Sequence, residues 1–159
     1  MEAYLDIETT GLSRQYHEIT VVGIHLCSES ESRFVQLVGM EITGESVLEA
    51  LNDVSIIYTY HGKGFDLPFI RSQLGIDLAD VFEHHDLMYD CWRNNLYGGF
   101  KAVERQLGIH RELKEVDGYQ AIRLWWRYAD YFDLDALNTL LEYNKEDVLN
   151  LKILKERLL

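Results

Sequence analysis

The chain is predicted to be an α/β fold, a mixed β-sheet flanked by helices. Three observations predict it. β-rich runs with alternating or continuous apolar character fill roughly the first 40 residues. A buried apolar run followed directly by a helical segment then marks a switch to βαβ order. From about residue 87 onward the apolar spacing is helical.

The elements follow in order. "AYLDIET" alternates, and "ITVVGIHLC" and "RFVQLVG" are rich in β-branched residues, so three strands open the chain, the second and third joined by the polar turn "SESES". A short helix is expected near "GESVLEALN". "SIIYTY" is a continuous apolar run suited to a strand covered on both faces. "DLPFIRSQLG" reads as a helix with an early proline and a closing Gly75. A fifth short strand is expected near "VFEHHDL". The helices "FKAVERQLG", "DGYQAIRLWWRYA" and a long last one from about Leu134 to Leu158 complete the chain. The 159 residues suit one domain, 1–159, with a core that needs no staples.

Composition narrows the function. The 47% hydrophobic and 26% charged residues are those of a folded protein, and no apolar run approaches the ~18 residues of a membrane span. No membrane association is expected. The N-terminus lacks a signal-peptide pattern, and the expected location is cytoplasmic. Cys27 and Cys91 have no CxxC spacing, so free buried thiols are expected rather than a disulfide or zinc. The net charge of −12 would repel a polyanion at long range and argues against a passive nucleic-acid coat. Residues 101–127 are the exception at +2, against −14 elsewhere. That stretch is either a solvated helical face or a phosphate-facing surface.

Acidic residues recur at three stations. In the first strand, period two puts Ala3, Leu5 and Ile7 on one face and Tyr4, Asp6 and Glu8 on the other. Residues i and i+2 lie about 7 Å apart, and two desolvated carboxylates there repel unless a cation intervenes. Alternatively Glu8 lies in the following turn and is solvated. Asp66 sits where a strand runs through a Gly-rich turn into a helix, either as an N-cap or as a group delivered to a crevice at the strand ends. In the last helix Leu137, Leu141, Val148 and Leu151 read as the apolar stripe. On a helical wheel Asp147 then lies roughly 80° from its centre, Tyr143 about 120°, and Glu146 in solvent. Tyr143 and Asp147, at i and i+4, share a flank, as a site pair or as a rim contact beside an ordinary acid.

Together these stations resemble the DEDD superfamily of metal-dependent 3′–5′ exonucleases, on a ribonuclease H-like fold. The Tyr143-x-x-x-Asp147 spacing resembles its tyrosine (DEDDy) branch. From "AYLDIETTGL" through "YTYHGKGFDLP", "HHDLMY" and "YNKEDVLNL" the whole chain resembles the YprB-like ribonuclease H-like domain. The resemblance implies a five-stranded mixed sheet with one antiparallel strand. It implies two divalent ions, Mg²⁺ or Mn²⁺, held by Asp6, Glu8, Asp66 and Asp147, with Asp6 bridging. It makes Tyr143 the residue that orients or helps deprotonate the attacking water, and it places Thr9, Gly11, Leu12, His61 and Phe65 against the terminal nucleotide. His61 stands where the family often has Asn, which implies altered substrate placement more than altered chemistry. The implied reaction releases nucleoside 5′-monophosphates from single-stranded or frayed 3′ ends of DNA or RNA.

Three further readings compete. "HHD" at 84–86 matches the core of HD phosphohydrolases, but those are helical, and in a strand His84 and His85 point to opposite faces. Asp86 instead suits the border of the acidic crevice. A nucleic-acid-binding scaffold that has lost turnover would keep the fold but has no reason to keep the acids and Tyr143 in register. Trp125 and Trp126 would stack on bases or, more commonly for Trp at helical spacing, pack in the core.

Overall fold

The computed structural model describes residues Met1–Leu159. Strands β1 (Glu2–Thr9), β2 (Ile19–Cys27) and β3 (Ser32–Val38) open the chain, followed by a 3₁₀ turn at Gly39–Glu41 and helix α1 (Gly44–Ala50). Strand β4 (Ile56–Thr59), helices α2 (Asp66–Leu74) and α3 (Leu78–Val81) and strand β5 (Glu83–Asp86) complete the sheet. Helices α4 (Leu87–Arg93), α5 (Phe100–Leu107), α6 (Gly118–Tyr131) and α7 (Leu134–Leu158) follow. The sheet order is β3-β2-β1-β4-β5. β2 runs antiparallel to both neighbours, whereas β1, β4 and β5 are mutually parallel. This is the ribonuclease H-like arrangement with its one antiparallel strand.

Covering both faces explains the composition of the central strands: every residue of β2 is buried. On one face Ala3, Leu5 and Ile7 of β1 meet Leu26, Ile24 and Val22, their cross-strand partners, under Val47, Leu51, Phe69 and Ile70 of the α1–α2 side. The other face carries Tyr4 and Tyr58 beneath α4, α5 and α7, through Leu87, Val103, Val148, Leu151 and Leu154. Each of these fully buried aliphatic side chains stabilises the fold by about 1.5–3 kcal/mol before entropy is counted. The second face is also the face of Asp6 and Glu8, so α7 must come close to it. Gly23, paired with Asp6 across the ladder, makes room: a Cβ there would lie 2.2 Å from Oδ1 of Asn144 on α7.

The buried face of α7 is rotated from the expected one. Leu137 and Leu141 are only half-buried, and the sheet-facing positions are Ala136, Leu140, Tyr143, Asn144, Asp147, Val148, Leu151 and Leu154. Tyr143 and Asp147 therefore lie on the packed face itself, not on its flank. An apolar stripe omits polar residues by construction, and here several of the buried residues are polar. Glu146 is also misplaced by that reading. It accepts the backbone N–H groups of Glu112 and Leu113, at 2.5 and 3.0 Å, and pins the α5–α6 connection to α7. Trp125 packs half-buried against the α6–α7 cluster while Trp126 is 43% exposed, so only the first of the pair serves the core. Cys27 and Cys91 are free and buried, as expected.

Candidate metal centre and its charge network

Glu8 lies inside β1 and is 9% exposed, so it is not a solvated turn residue. Its side chain shares the sheet face of partly buried Asp6. One carboxylate oxygen from each of Asp6, Glu8 and Asp147 can be chosen so that all three lie within 4.8 Å of one another. Glu8 Oε1 is buried without a hydrogen-bond partner, and no ion pair reaches Asp6 or Glu8. Burial, and next the Asp147 charge, push the Asp6 and Glu8 carboxyls well above the usual carboxylate range.

Asp66 stands beside this trio. It is the first residue of α2 but does not cap it. The N-cap position is Phe65, and Asp66 turns its Oδ2 to accept the N–H of Ile7, at 3.0 Å, between the two acids of β1. Burial raises its pKa to about 7 against the opposing backbone hydrogen bonds.

Asp147 differs from the others because cations attend it. Its Oδ1 accepts from Arg111 Nη2 at 2.5 Å and lies 3.9 Å from Lys101 Nζ. Burial still raises its pKa, with Lys101 and Arg111 opposing. Arg111 is itself buried and forks onto Glu104 through Nε and Nη2, at 3.0 and 2.9 Å, while Asn150 donates to Glu104 at 2.5 Å. Lys101 also donates to the Tyr143 hydroxyl and sits 4.5 Å from that ring's centroid. Burial, with the neighbouring acids, pushes the Tyr143 phenol far above its ordinary value. A neutral phenol can orient a water but is a poor base. Asn144 completes the floor, donating to the Asp6 carbonyl at 3.2 Å and, more weakly, to Oδ2 at 3.4 Å.

The site also contains Lys101, Glu104, Arg111, Asn144 and Asn150, which no motif in the sequence marks. One signal was available: Phe100, Val103, Glu104 and Leu107 fall at i, i+3, i+4 and i+7, which places an acid on the apolar stripe of α5. An acid there needs a buried partner.

The residues expected at the nucleotide sit at the end of β1 and on the loops that follow the adjacent parallel strands β1 and β4. Thr9 Oγ1 donates to the Gly11 carbonyl at 2.6 Å, and Gly11 packs so closely on His17 that a Cβ would lie 2.5 Å from its ring. Leu12 is 84% exposed. Phe65 packs edge-on against Phe69 at the core boundary. His61 has a φ of +62°, a region enriched in Asn, Asp and His, which gives a backbone reason for either Asn or His there. Asp86 fixes this loop by accepting the N–H groups of His61 and Lys63, at 2.8 and 3.1 Å, and also caps α4. His84 bonds Thr59 and His85 bonds Asp90, so the two histidines serve different partners and form no HD centre.

The donor set fits a hard divalent cation. It is all oxygen, and oxygens bound at about 2.1 Å to one Mg²⁺ lie roughly 3–4 Å apart, close to the observed clustering. Without such an ion the cluster should destabilise the fold as pH rises. Unfolded carboxyls ionise near pH 4, whereas Asp66 holds its proton to about pH 7, and Asp6 and Glu8 are shifted in the same direction. Over that window the folded state binds more protons than the unfolded one, so each such group lowers stability by about 1.4 kcal/mol per pH unit. Urea melts in chelator are expected to show stability falling between about pH 5 and 7, with divalent ions reversing the trend. A rise over that range in chelator would contradict the assignment.

The mixed sheet with acids at the C-terminal end of β1 defines a ribonuclease H-like protein. The chain belongs to the RNase_H superfamily, whose family model matches residues 3–159. Bacillus subtilis YprB, an uncharacterized protein, is 26% identical to it over 171 residues, covering 93% of this chain and 39% of YprB. The family B DNA polymerase of the archaeon Pyrobaculum calidifontis superposes with a TM-score of 0.74 at 15% identity, over 99% of this chain and 24% of the polymerase. Brucella melitensis NrnC bound to pGG superposes at 0.66 with 19% identity, over 98% of this chain and 70% of NrnC, and the Mg²⁺-bound form at 0.64. The chain thus spans well under two thirds of YprB and of the polymerase. No helix is long and apolar enough to cross a membrane.

Proposed function

We propose that this chain is a metal-dependent 3′–5′ exonuclease of the DEDDy type, with residues 1–159 acting as one catalytic domain. It would hydrolyse phosphodiester bonds at single-stranded or frayed 3′ ends of DNA or RNA and release nucleoside 5′-monophosphates. The observation that carries this reading is the convergence of Asp6, Glu8 and Asp147 around a buried, unpartnered Glu8 oxygen. The Mg²⁺ and pGG complexes of the structurally similar NrnC support the same chemistry.

Asp6, Glu8 and Asp147 would hold the first of two Mg²⁺ or Mn²⁺ ions, and Asp66, tied to the strand between the first two acids, would serve the second largely through water. Bound ions of this kind supply an activated water and stabilise the leaving 3′ oxygen. Tyr143, neutral and held by Lys101, orients that water. Arg111 keeps Asp147 in place, and Thr9, Gly11, Leu12, His61 and Phe65 hold the terminal nucleotide. The two buried thiols suit a reducing cytoplasm. One observation favours the alternative of a turnover-deficient scaffold: Arg111 and Lys101 already neutralise Asp147 without a metal. The lack of any cation partner for Asp6 and Glu8 weighs the other way.

Incubating 5′-labelled single strands with Mg²⁺ or Mn²⁺ tests the proposal. A ladder shortening from the 3′ end is expected, with Tyr143→Phe slower by about a hundredfold because the attacking water loses its alignment. Internal nicks would point to an endonuclease, and no degradation would point to the scaffold.

A further inference from the structure

Helix α6 carries Trp125 and Trp126 between Arg123 and Arg127, and nothing in the proposed chemistry uses its outer face. The inner face is occupied: Ala121, Leu124 and Trp125 join the cluster of Leu140 and Tyr143 on α7. At 100° per residue the opposite side of the helix is the row Tyr119, Arg123, Trp126 and Asp130, each within about 35° of the line facing away from that cluster. The row runs about 16 Å, three turns. Tyr119 is 69% and Trp126 43% exposed. Arg123 and Asp130 are exposed and form no ion pair within the chain, whereas neighbouring Arg127 lies 3.7 Å from Asp133. Trp, Tyr and Arg are the residues that anchor protein interfaces, and here all three stand in one exposed row.

The row is also self-complementary. A two-fold axis midway between Leu124 and Trp125 lays two α6 helices antiparallel, with Tyr119 opposite Asp130 of the partner subunit and Arg123 opposite Trp126 of the partner subunit, each contact made twice. The phenol can donate to the carboxylate, and the guanidinium can stack on the indole with Asp130 of the partner subunit one turn away. A parallel pairing would instead set arginine on arginine and aspartate on aspartate. The charges of the row cancel within the antiparallel pair, so the net charge of −12 opposes association only at longer range, where physiological salt screens it beyond about 8 Å. A nucleic-acid strand would meet Asp130 in the same row and leaves the two-fold pattern without a cause.

We propose that the outer face of α6 is a homodimer interface, in which two copies of this chain pair antiparallel about that axis. Two helices of 14 residues bury less than the roughly 1,200 Å² of a standard interface. The loop after β1 adds to the rim, since its Tyr16 is 84% exposed and lines one pocket together with Trp126. The dimer is therefore weak, with a dissociation constant on the order of 10 µM. The proposal stands apart from the exonuclease reading, and neither depends on the other.

Sedimentation equilibrium of the full chain, from about 1 to 300 µM, tests it. Wild type is expected to show a reversible monomer–dimer equilibrium. Trp126→Ala, Arg123→Glu and Asp130→Arg should each raise the dissociation constant by about tenfold or more. All three side chains are exposed, and unchanged melting curves at low concentration verify the fold. The decisive step mixes Arg123→Glu with Asp130→Arg. Either variant alone brings like charges together at both contacts, whereas a mixed pair restores an acid opposite a base at each. Fluorescence transfer between differently labelled copies should therefore report mixed dimers within about fivefold of the wild-type affinity, from two proteins that are monomeric apart. A wild type that stays monomeric over the whole range would overturn the proposal. Dimers that none of the three substitutions weakens would overturn it as well, and so would charge variants that remain monomers when mixed.

Discussion

Asp6→Asn is expected to lose roughly a thousandfold in nucleotide release while melting at a higher temperature than wild type in chelator. The activity loss corresponds to about 4 kcal/mol of charge stabilisation, the scale on which a divalent ion acts on a phosphoryl oxygen. The stability gain has a separate origin. Asp6 is partly buried, has no counter-ion, and faces Glu8 and Asp147 across a few ångströms, while Asn144 already offers its amide to the same place. Asparagine keeps the shape and removes the cost, at neutral pH, of either ionising Asp6 among its neighbouring acids or keeping its proton on. Relief of about 1 kcal/mol would raise the midpoint by roughly 2–4 °C in a chain of this size. Saturating Mg²⁺ should reverse the order, because the ion binds only folded wild type tightly. Melting curves and label release on one preparation check both halves. A variant that is less stable in chelator, or active within about tenfold of wild type, would show that Asp6 is a structural acid.

Arg111→Met is expected to cost about 3–5 kcal/mol of folding stability, more than any surface substitution. Removing one partner of a buried ion pair strands the other charge. Glu104, 2% exposed, would keep only Asn150 as donor, and Asp147 would lose its closest cation. Lysine cannot substitute, since Nε and Nη2 are both engaged on Glu104 while Nη2 also reaches Asp147. Pairing the change with Glu104→Leu should recover much of the loss, because a buried ion pair can be replaced by apolar packing at little cost. Urea denaturation of the two single variants and the double checks the coupling, and additive losses would mean that Arg111 and Glu104 do not act as a pair.

How much of this could be read from residues alone depended on the range of the interaction. The first strand was legible because alternation is local: Asp6 and Glu8 share a face by geometry, and so do Ala3, Leu5 and Ile7. The last helix was legible in extent, since Asp133 caps it and the spacing holds to Leu158. Its orientation was not, because polar Asn144, Asp147 and Asn150 are buried by partners elsewhere in the chain. Asn144 reaches back to Asp6, Asn150 to Glu104, and Arg111 forward to Asp147, and no periodicity records such pairings. Asp66 shows the limit of local rules most clearly. It sits where an N-cap would be expected, yet its carboxylate bonds Ile7, 59 positions away, because the sheet brings β1 and β4 side by side. The basic stretch at 101–127 also held two kinds of residue. Lys101 and Arg111 turn inward to the site, whereas Arg105, Lys114, Arg123 and Arg127 stay on the surface.

A cage of carboxylates that holds divalent ions is what the proposed chemistry requires, and Mn²⁺-soaked crystals measured for anomalous scattering reveal it most directly. The predicted result is a Mn²⁺ peak bonded to oxygens of Asp6, Glu8 and Asp147, with a second density toward Asp66. A protein saturated with Mn²⁺ that shows no peak there, with Arg111 and Lys101 still closed on Asp147, would contradict it.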